Sequence, residues 1–428
     1  MESDRCEMEP TAAGGRDALT RLEGIHALTG EHIRLTLAGG VIAGYEVLGT
    51  PEEVEIRQVT GAQAGGQELL LIGPGLVDLQ INGYAGLDLN THPLQADTVR
   101  QLNERLWAEG VTSYLPTLIT NSDEALRSGL STIAEVCETD PNHNMAGIHL
   151  EGPFISPEDG PRGAHDTQYV RAPDWELFQS WQEAAGGRIR IVTVSPEWPE
   201  AVDFIERCTG SGVLVSIGHT AANSAQIQAA VQAGARMSTH LGNGAHPVLP
   251  RHPNYIWDQL AEEPLWASVI ADGFHLPDAF LRVAAKVKGE RLILVSDAVS
   301  FGGMPPGTYD THIGGRVTLT PAGRLHLAGQ PALLAGSALP MTAGIAHLAG
   351  RGIASLGEAW AMASVRPAGL LGLPAAQGLA PGAPADVALF TKDAAGIRIL
   401  RTYKRGQLKY DARNVSADRD PHDTGFTR

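Results

Sequence analysis

The sequence predicts an α/β fold: a (β/α)8 barrel of the TIM type, with a small β-sandwich domain formed from both termini. Three observations predict it. Through the middle of the chain, short apolar runs alternate with amphipathic stretches, the pattern of a parallel sheet flanked by helices. There are eight such runs, the number that closes a barrel. Toward both ends the alternation gives way to short strands and turns alone. A doubly wound open sheet is the alternative, but it would more often carry a glycine-rich first turn, and none is seen.

Taken in order, "GIHALTG", "HIRLTLAGG", "VIAGYEVLG" and "QELLLIG" read as strands, with no helix anywhere in this first segment. The barrel strands follow as "GLVDLQING", "VTSYLPTLIT", "AGIHLEGPF", "IRIVTVSPE", "VLVSIGHT", "ARMSTHLGN", "ASVIADGFH" and "LILVSDAV". Between them lie helical stretches such as "ADTVRQLNERLWAEG", "DEALRSGLSTIAEVCE", "SAQIQAAVQAG" and "DAFLRVAAKVKG". "QGLAPGAPADVALFTKD" and "IRILRTYKRGQLKYD" then return to the character of the first segment. The expected division is a small domain of 20–74 plus 375–412, a barrel of 75–374, and flexible ends at 1–19 and 413–428.

Composition excludes several classes. The 428 residues are 43% hydrophobic, enough for a sizeable core, and carry a net charge of -16. No basic run or basic-aromatic stripe is present, which argues against nucleic acid as a partner. Cys6, Cys137 and Cys208 are too far apart for a zinc motif and suggest no disulfide framework. The opening "MESDRCEMEPTAAGG" is acidic and lacks the apolar core of a signal peptide. With no run of ~18 apolar residues to span a membrane, the expected location is the cytoplasm.

The barrel strands end in polar groups: Gln80 and Asn82, Thr117, Glu151, Glu197, His219, His240, His275 and Asp297. A barrel gathers these ends on one face, so the groups converge. Any one of them alone is ordinarily a loop residue; the series indicates a site. Glu151, His219 and His240 supply one carboxylate and two imidazoles, a set suited to Zn²⁺ or Fe²⁺ with a position left for water. Asp297, beside such a centre, can take a proton from water and pass it to a leaving amine; its structural alternative is a helix cap. His149 shares the face of Glu151 by alternation. It is either a hydrogen-bonded core residue or an outer partner of the metal site.

Together "PGLVDLQING", "GIHLEGPF", "GAH", "SIGHT", "THLGN", "DGFH", "LVSDA" and "LAGSAL" resemble the N-acetylglucosamine-6-phosphate deacetylase family of the amidohydrolase superfamily. The likeness runs in order from about Gly73 to Phe390. It implies hydrolysis of the acetamide of N-acetyl-D-glucosamine 6-phosphate to D-glucosamine 6-phosphate and acetate. Some members carry His-x-His on strand 1 and can hold two metals; others carry Gln-x-Asn and work with one. With Gln80 and Asn82 this chain resembles the second kind, so the resemblance implies one divalent ion per chain, Zn²⁺ or else Fe²⁺, Co²⁺ or Mn²⁺, with the two amides lining the site.

Further positions carry over from the resemblance one at a time. Ala164 and His165 match the loop after strand 3, whose histidine helps polarise the substrate carbonyl. Asn243 and Gly244 match a loop that binds the sugar phosphate, and Arg251 an arginine that reaches a phosphate across a homodimer interface. His275 matches a substrate-binding histidine, and Leu334, Ala335, Gly336 and Ser337 a segment that closes over the sugar. The chain departs from the family where Tyr-Asn-Ala-Met-Pro becomes "GNGAHP", and where Tyr255 and Trp257 add bulk to "VLPRHPNYIWDQL". These departures leave open the sugar and the phosphate. The alternatives are another N-acylated or cyclic amide substrate, or a sugar-phosphate-binding protein without catalysis, which would not need Asp297.

Overall fold

The structure, a computed structural model, describes residues 19–53, 70–311 and 315–414. Cys6 and the expected flexible ends lie outside the described residues, save Leu19, Arg413 and Asn414.

The eight parallel barrel strands are Leu76–Ile81, Val111–Ile119, Ile148–Glu151, Ile189–Val194, Leu214–Ile217, Met237–Ser238, Trp266–Val269 and Leu292–Leu294, neighbours in space in the order of the chain. Strands 1 and 8 meet through a single parallel bridge, Ile81 to Ala298. Beside it the Asp297 amide donates to the Gln80 carbonyl at 2.9 Å, so the barrel is nearly closed. Strand 1 is buried at all six positions, as a parallel strand between a packed interior and a helical coat must be. Inside the barrel, Val77, Leu79, Leu115, Ile191, Met237, Ile270, Ile293 and Val295 form a core of their own. Ala368 and Leu371 join it from the short helix Val365–Leu370 and the turn after it.

The helical coat follows from local sequence. Ala96–Ala108 buries Val99, Leu102 and Leu106, one face of a 3.6-residue period. Asp123–Thr139 starts where the Ser122 side chain accepts from the Ala125 amide. Ser224–Ala233 begins with a capping box of Asn223 and Gln226 and ends at Gly234 with φ 118.

Both ends of the chain contribute to one seven-stranded sheet. Thr20–His26, His32–Ala38, Val41–Gly49 and Leu71–Pro74 supply one side; Val387–Lys392, Ile397–Lys404 and Gln407–Asp411 supply the other. The sheet encloses a separate core that includes Ile33, Leu35, Ile42, Val387, Leu389 and Tyr403. Trp360 fastens it to the barrel by stacking on Phe390 at 4.0 Å and donating its indole N–H to the Pro74 carbonyl at 2.9 Å.

Two features differ from the sequence reading. Residues 51–53 are helical, so the first segment is not purely strand. After strand 8 an antiparallel sheet is inserted, made of Gly307–Thr311, Gly315–Leu319, Leu325–Leu327 and Gln330–Leu334. It encloses a small core of Val317, Leu319, Leu325 and Ala338 and delivers the chain to the segment 334–337.

Candidate active site

The C-terminal ends of the strands bring Glu151, His219 and His240 together around one oxygen. Glu151 Oε1 lies 2.9 Å from His240 Nε2 and 3.2 Å from His219 Nε2, and the two Nε2 atoms are 3.1 Å apart. Donors held by a tetrahedral ion at about 2.0–2.1 Å stand roughly 3.3 Å from one another. His219 Nδ1 donates to the Pro161 carbonyl at 2.8 Å, which leaves the lone pair of the neutral ring on Nε2, facing the carboxylate. Two electron-rich atoms at that separation repel unless a positive charge sits between them. The donor set therefore fits a cation. Glu151, His165 and His219 also offer ligand atoms within 4.8 Å of one another. The triad with His240 is the tighter of the two, and His165 Nδ1 is already engaged by Thr120 Oγ1 at 2.8 Å.

The electrostatics suit the same chemistry. Burial pushes the Glu151 carboxyl up, but the neighbouring His219 and His240 imidazoles overcome it and hold the group well below the usual carboxylate range. Asp297 goes the other way: burial and the neighbouring Glu151 raise it to about 6, against the opposing influence of His240, His275 and Asn82. Burial, reinforced by His219, lowers His165 to about 3 and keeps it neutral.

The two amides of strand 1 link the two carboxylates. Gln80 Nε2 donates to Glu151 Oε1 at 2.8 Å and to Asp297 Oδ1 at 3.1 Å; Asn82 Nδ2 donates to Asp297 Oδ1 at 2.8 Å. Gln80 Oε1, Asn82 Oδ1 and His240 Nδ1 are buried without a partner. Among described non-glycine residues, positive φ occurs at His219 (48°), His240 (27°) and Asp297 (46°), and otherwise only at Ala85 and Arg405. Such backbone is uncommon outside glycine and concentrates at functional sites.

The remaining candidates fall into place unevenly. His275 Nδ1 sits 2.7 Å from Asp272 Oδ2, and Asp272 also accepts from the Phe274 and His275 amides. Asn243 packs back on the His240 carbonyl through its own amide at 2.9 Å. Gly244, with φ 56, lies so close to the His219 ring that a Cβ there would stand 2.7 Å from Nδ1. Ala164 is exposed at the rim. Leu334 ends the inserted sheet, Ala335 donates to the Leu325 carbonyl, and Gly336 turns with φ 101. Ser337 pairs with Ala298, next to Asp297, and its hydroxyl is buried without a partner. Arg251 stands apart: it is exposed, and its carbonyl accepts from Asn254 Nδ2 at 3.5 Å.

Two strand-end residues and His149 are structural in this arrangement. Thr117 Oγ1 accepts from the Ile81 amide at 3.0 Å and ties strand 2 to strand 1. Glu197 accepts from Ser156, Ser195 and the Ala221 amide, organising neighbouring loops. His149 is fully buried between the Leu79 carbonyl and Thr193 Oγ1, and burial lowers it to about 4. Asp78 alternates with Gln80 and Asn82 in the sequence but was given no role; its buried carboxylate accepts from the Gln80 amide and from the amide and hydroxyl of Ser296, so it spans the seam between strands 1 and 8. Thr120 and the Pro161 carbonyl were missed; a backbone acceptor leaves no trace in residue type.

Fold and site together define a barrel protein with a carboxylate–imidazole group able to hold a metal ion, beside a buried aspartate whose carboxyl is raised. The chain belongs to the amidohydrolase family, whose model matches residues 71–414. It is similar to the N-acetylglucosamine-6-phosphate deacetylase of Bacillus subtilis, with 35% identity over 70% of this chain and 73% of that one. The N-acetylgalactosamine-6-phosphate deacetylase of Escherichia coli O157:H7 is 29% identical over 88% of this chain and 94% of that protein. Among solved structures, the N-acetyl-D-glucosamine-6-phosphate deacetylase of Mycobacterium smegmatis superposes with a TM-score of 0.77 at 28% identity, over 91% of this chain and 99% of that chain.

Proposed function

We propose that the protein hydrolyses the acetamide of N-acetyl-D-glucosamine 6-phosphate, giving D-glucosamine 6-phosphate and acetate. The observation that carries this is Asp297 hydrogen-bonded through Gln80 to the carboxylate around which His219 and His240 gather, in a chain related to deacetylases. A divalent cation held by Glu151, His219 and His240 supplies, when bound, Lewis acidity toward the carbonyl and acidity to water.

The chain's own residues do the rest. With Thr120 donating to its Nδ1, neutral His165 keeps an Nε2–H that can donate to the acetamide oxygen. Asp297 accepts the proton of the attacking water as the C–O bond forms. The same proton then goes to the sugar nitrogen as the C–N bond breaks, so the amine leaves neutral. The hydrogen bond from Asn82 and the two-way hold of Gln80 fix the orientation of Asp297 during both transfers.

Of the possible ions we favour Zn²⁺, one per chain, because the neutral amides Gln80 and Asn82 cannot offset the charge of a second dication. We further infer a homodimer in which Arg251, exposed on its own chain, reaches the phosphate in the neighbouring site. A phosphorylated sugar does not cross a bilayer unaided, which favours the cytoplasm; among the described residues no helix is long and apolar enough to cross a membrane. We propose the small domain as 20–74 plus 375–412, since the seven strands of its sheet fall within those bounds.

The relative that acts on N-acetylgalactosamine 6-phosphate favours that sugar as a second reading. Acetate release from the two phosphorylated sugars, free N-acetylglucosamine and an N-acetyl amino acid, with cation-loaded protein, tests the proposal. The highest kcat/KM is expected for N-acetylglucosamine 6-phosphate. A preference for the galacto sugar would install the second reading, and a preference for an N-acetyl amino acid would overturn both.

A further inference from the structure

In the segment "GNGAHP" the structure gives the histidine two partners. His246 Nδ1 lies 3.0 Å from the Tyr255 hydroxyl, and His246 Nε2 lies 3.1 Å from Glu158 Oε2. The same Tyr255 hydroxyl oxygen accepts from the His246 backbone amide at 2.8 Å. One proton arrangement satisfies every group: the amide donates to the tyrosine oxygen, the tyrosine O–H donates to Nδ1, and Nε2–H donates to Glu158. Tyr255 is buried, at 6% exposure, and opens the helix Tyr255–Ala261, so one end of this chain of bonds is firmly anchored.

The partners belong to different loops. Glu158 lies on the loop after strand 3, and His246 on the loop after strand 6. The contact is close: a Cβ on Gly160, whose φ is 97, would fall 3.0 Å from His246 Cα. Both loops also rest on the ring of His219. The first gives it the Pro161 carbonyl and passes Gly163 at 3.5 Å from Cε1, measured to the position of a Cβ; the second presses Gly244 onto it. Within the first loop, Arg162 Nη1 holds the His165 carbonyl at 2.8 Å. The two loops thus grip one imidazole, and His246 joins them outside it.

We propose that His246, Glu158 and Tyr255 form a clasp that holds the two loops closed over His219 and so preorganises the substrate rim. His246 is a positioning residue: it acts on binding through the loops that carry Asn243 and His165. The kinetic part of this inference rests on the deacetylase reading; the clasp itself does not.

The test pairs His246→Met, which keeps bulk and loses both side-chain bonds, with Glu158→Ala, Glu158→Gln and the double variant His246→Met/Glu158→Ala. Hydrogen exchange on the protein without substrate should show the amides of 160–165 and 243–246 opening about 5- to 20-fold faster in His246→Met, the scale of losing one or two modest hydrogen bonds. Glu158→Gln retains an acceptor and should stay within about twofold of the parent. The double variant should open no faster than His246→Met alone, because both changes break one chain of bonds. With N-acetylglucosamine 6-phosphate, KM should rise by a similar factor while kcat changes less. Unchanged exchange in His246→Met, strictly multiplicative effects in the double variant, or a loss confined to kcat would each overturn the clasp. If the parent protein released no acetate, the deacetylase reading would fall and the exchange measurements alone would decide the clasp.

Discussion

At the scale of the residue, Glu151 and Asp297 carry opposite assignments although a single glutamine touches both. The two imidazoles beside it hold the Glu151 carboxyl well below the usual carboxylate range, as suits a ligand; burial beside that charge raises Asp297 to about 6, as suits a proton acceptor. Three of the residues in this cluster, His219, His240 and Asp297, hold left-handed backbone, at a cost of order 1–3 kcal/mol each that the surrounding barrel must offset. Asp297→Asn keeps the shape and removes the proton acceptor, so kcat should fall by ~10²–10⁴-fold with cation content unchanged. Parallel kcat and elemental analysis check this; a variant keeping a tenth of the parent kcat would mean that another group moves the proton. The convergence of Glu151, His219, His240 and Asp297 was legible because each ends an apolar run. Asp272 was not: an aspartate ahead of a glycine reads as a turn former, and only the folded loop shows it bound to His275. Glu197 and Thr117 read as reactive for their position alone, and their backbone and hydroxyl partners hold them in structural roles.

At the scale of the element, the barrel strands were plain in the sequence because burial on both faces leaves an unbroken apolar run between polar ends. The inserted sheet was overlooked even though "RVTL" and "RLHL" alternate with period two, since so small a core contributes few apolar residues to notice. Glycines mark the close approaches that strands and loops require. Gly75 precedes strand 1, where a Cβ would meet three atoms of Thr112 between 2.1 and 2.7 Å. Gly75→Ala should therefore destabilise the fold by about 1–3 kcal/mol, read as a lowered midpoint in denaturant with an unchanged slope. In Gly244→Ala the added methyl strains a positive φ and presses on His219. Cation affinity should drop by roughly 10- to 100-fold, measured by competition with a chelator; unchanged affinity would mean that Gly244 does not set the position of the His219 ring.

At the scale of the whole molecule, a chain with a net charge of -16 has to attract a phosphate dianion, which demands a local cation. Arg251→Ala should lower kcat/KM by roughly 10- to 150-fold for the phosphorylated sugar and little for the free sugar, given ~1.5–3 kcal/mol for a charged hydrogen bond. Mixing Arg251→Ala with Asp297→Asn chains should partly restore activity, because one site of each hybrid dimer then has both residues. Equal losses on both sugars would remove Arg251 from the phosphate. The measurement that bears most directly on a one-cation deacetylase is titration of the metal-stripped protein with Zn²⁺, following acetate released from N-acetylglucosamine 6-phosphate. The rate should rise linearly and break at one equivalent per chain, with glucosamine 6-phosphate formed in step with acetate. A rise that continues to two equivalents, or a loaded protein that releases no acetate, would contradict it.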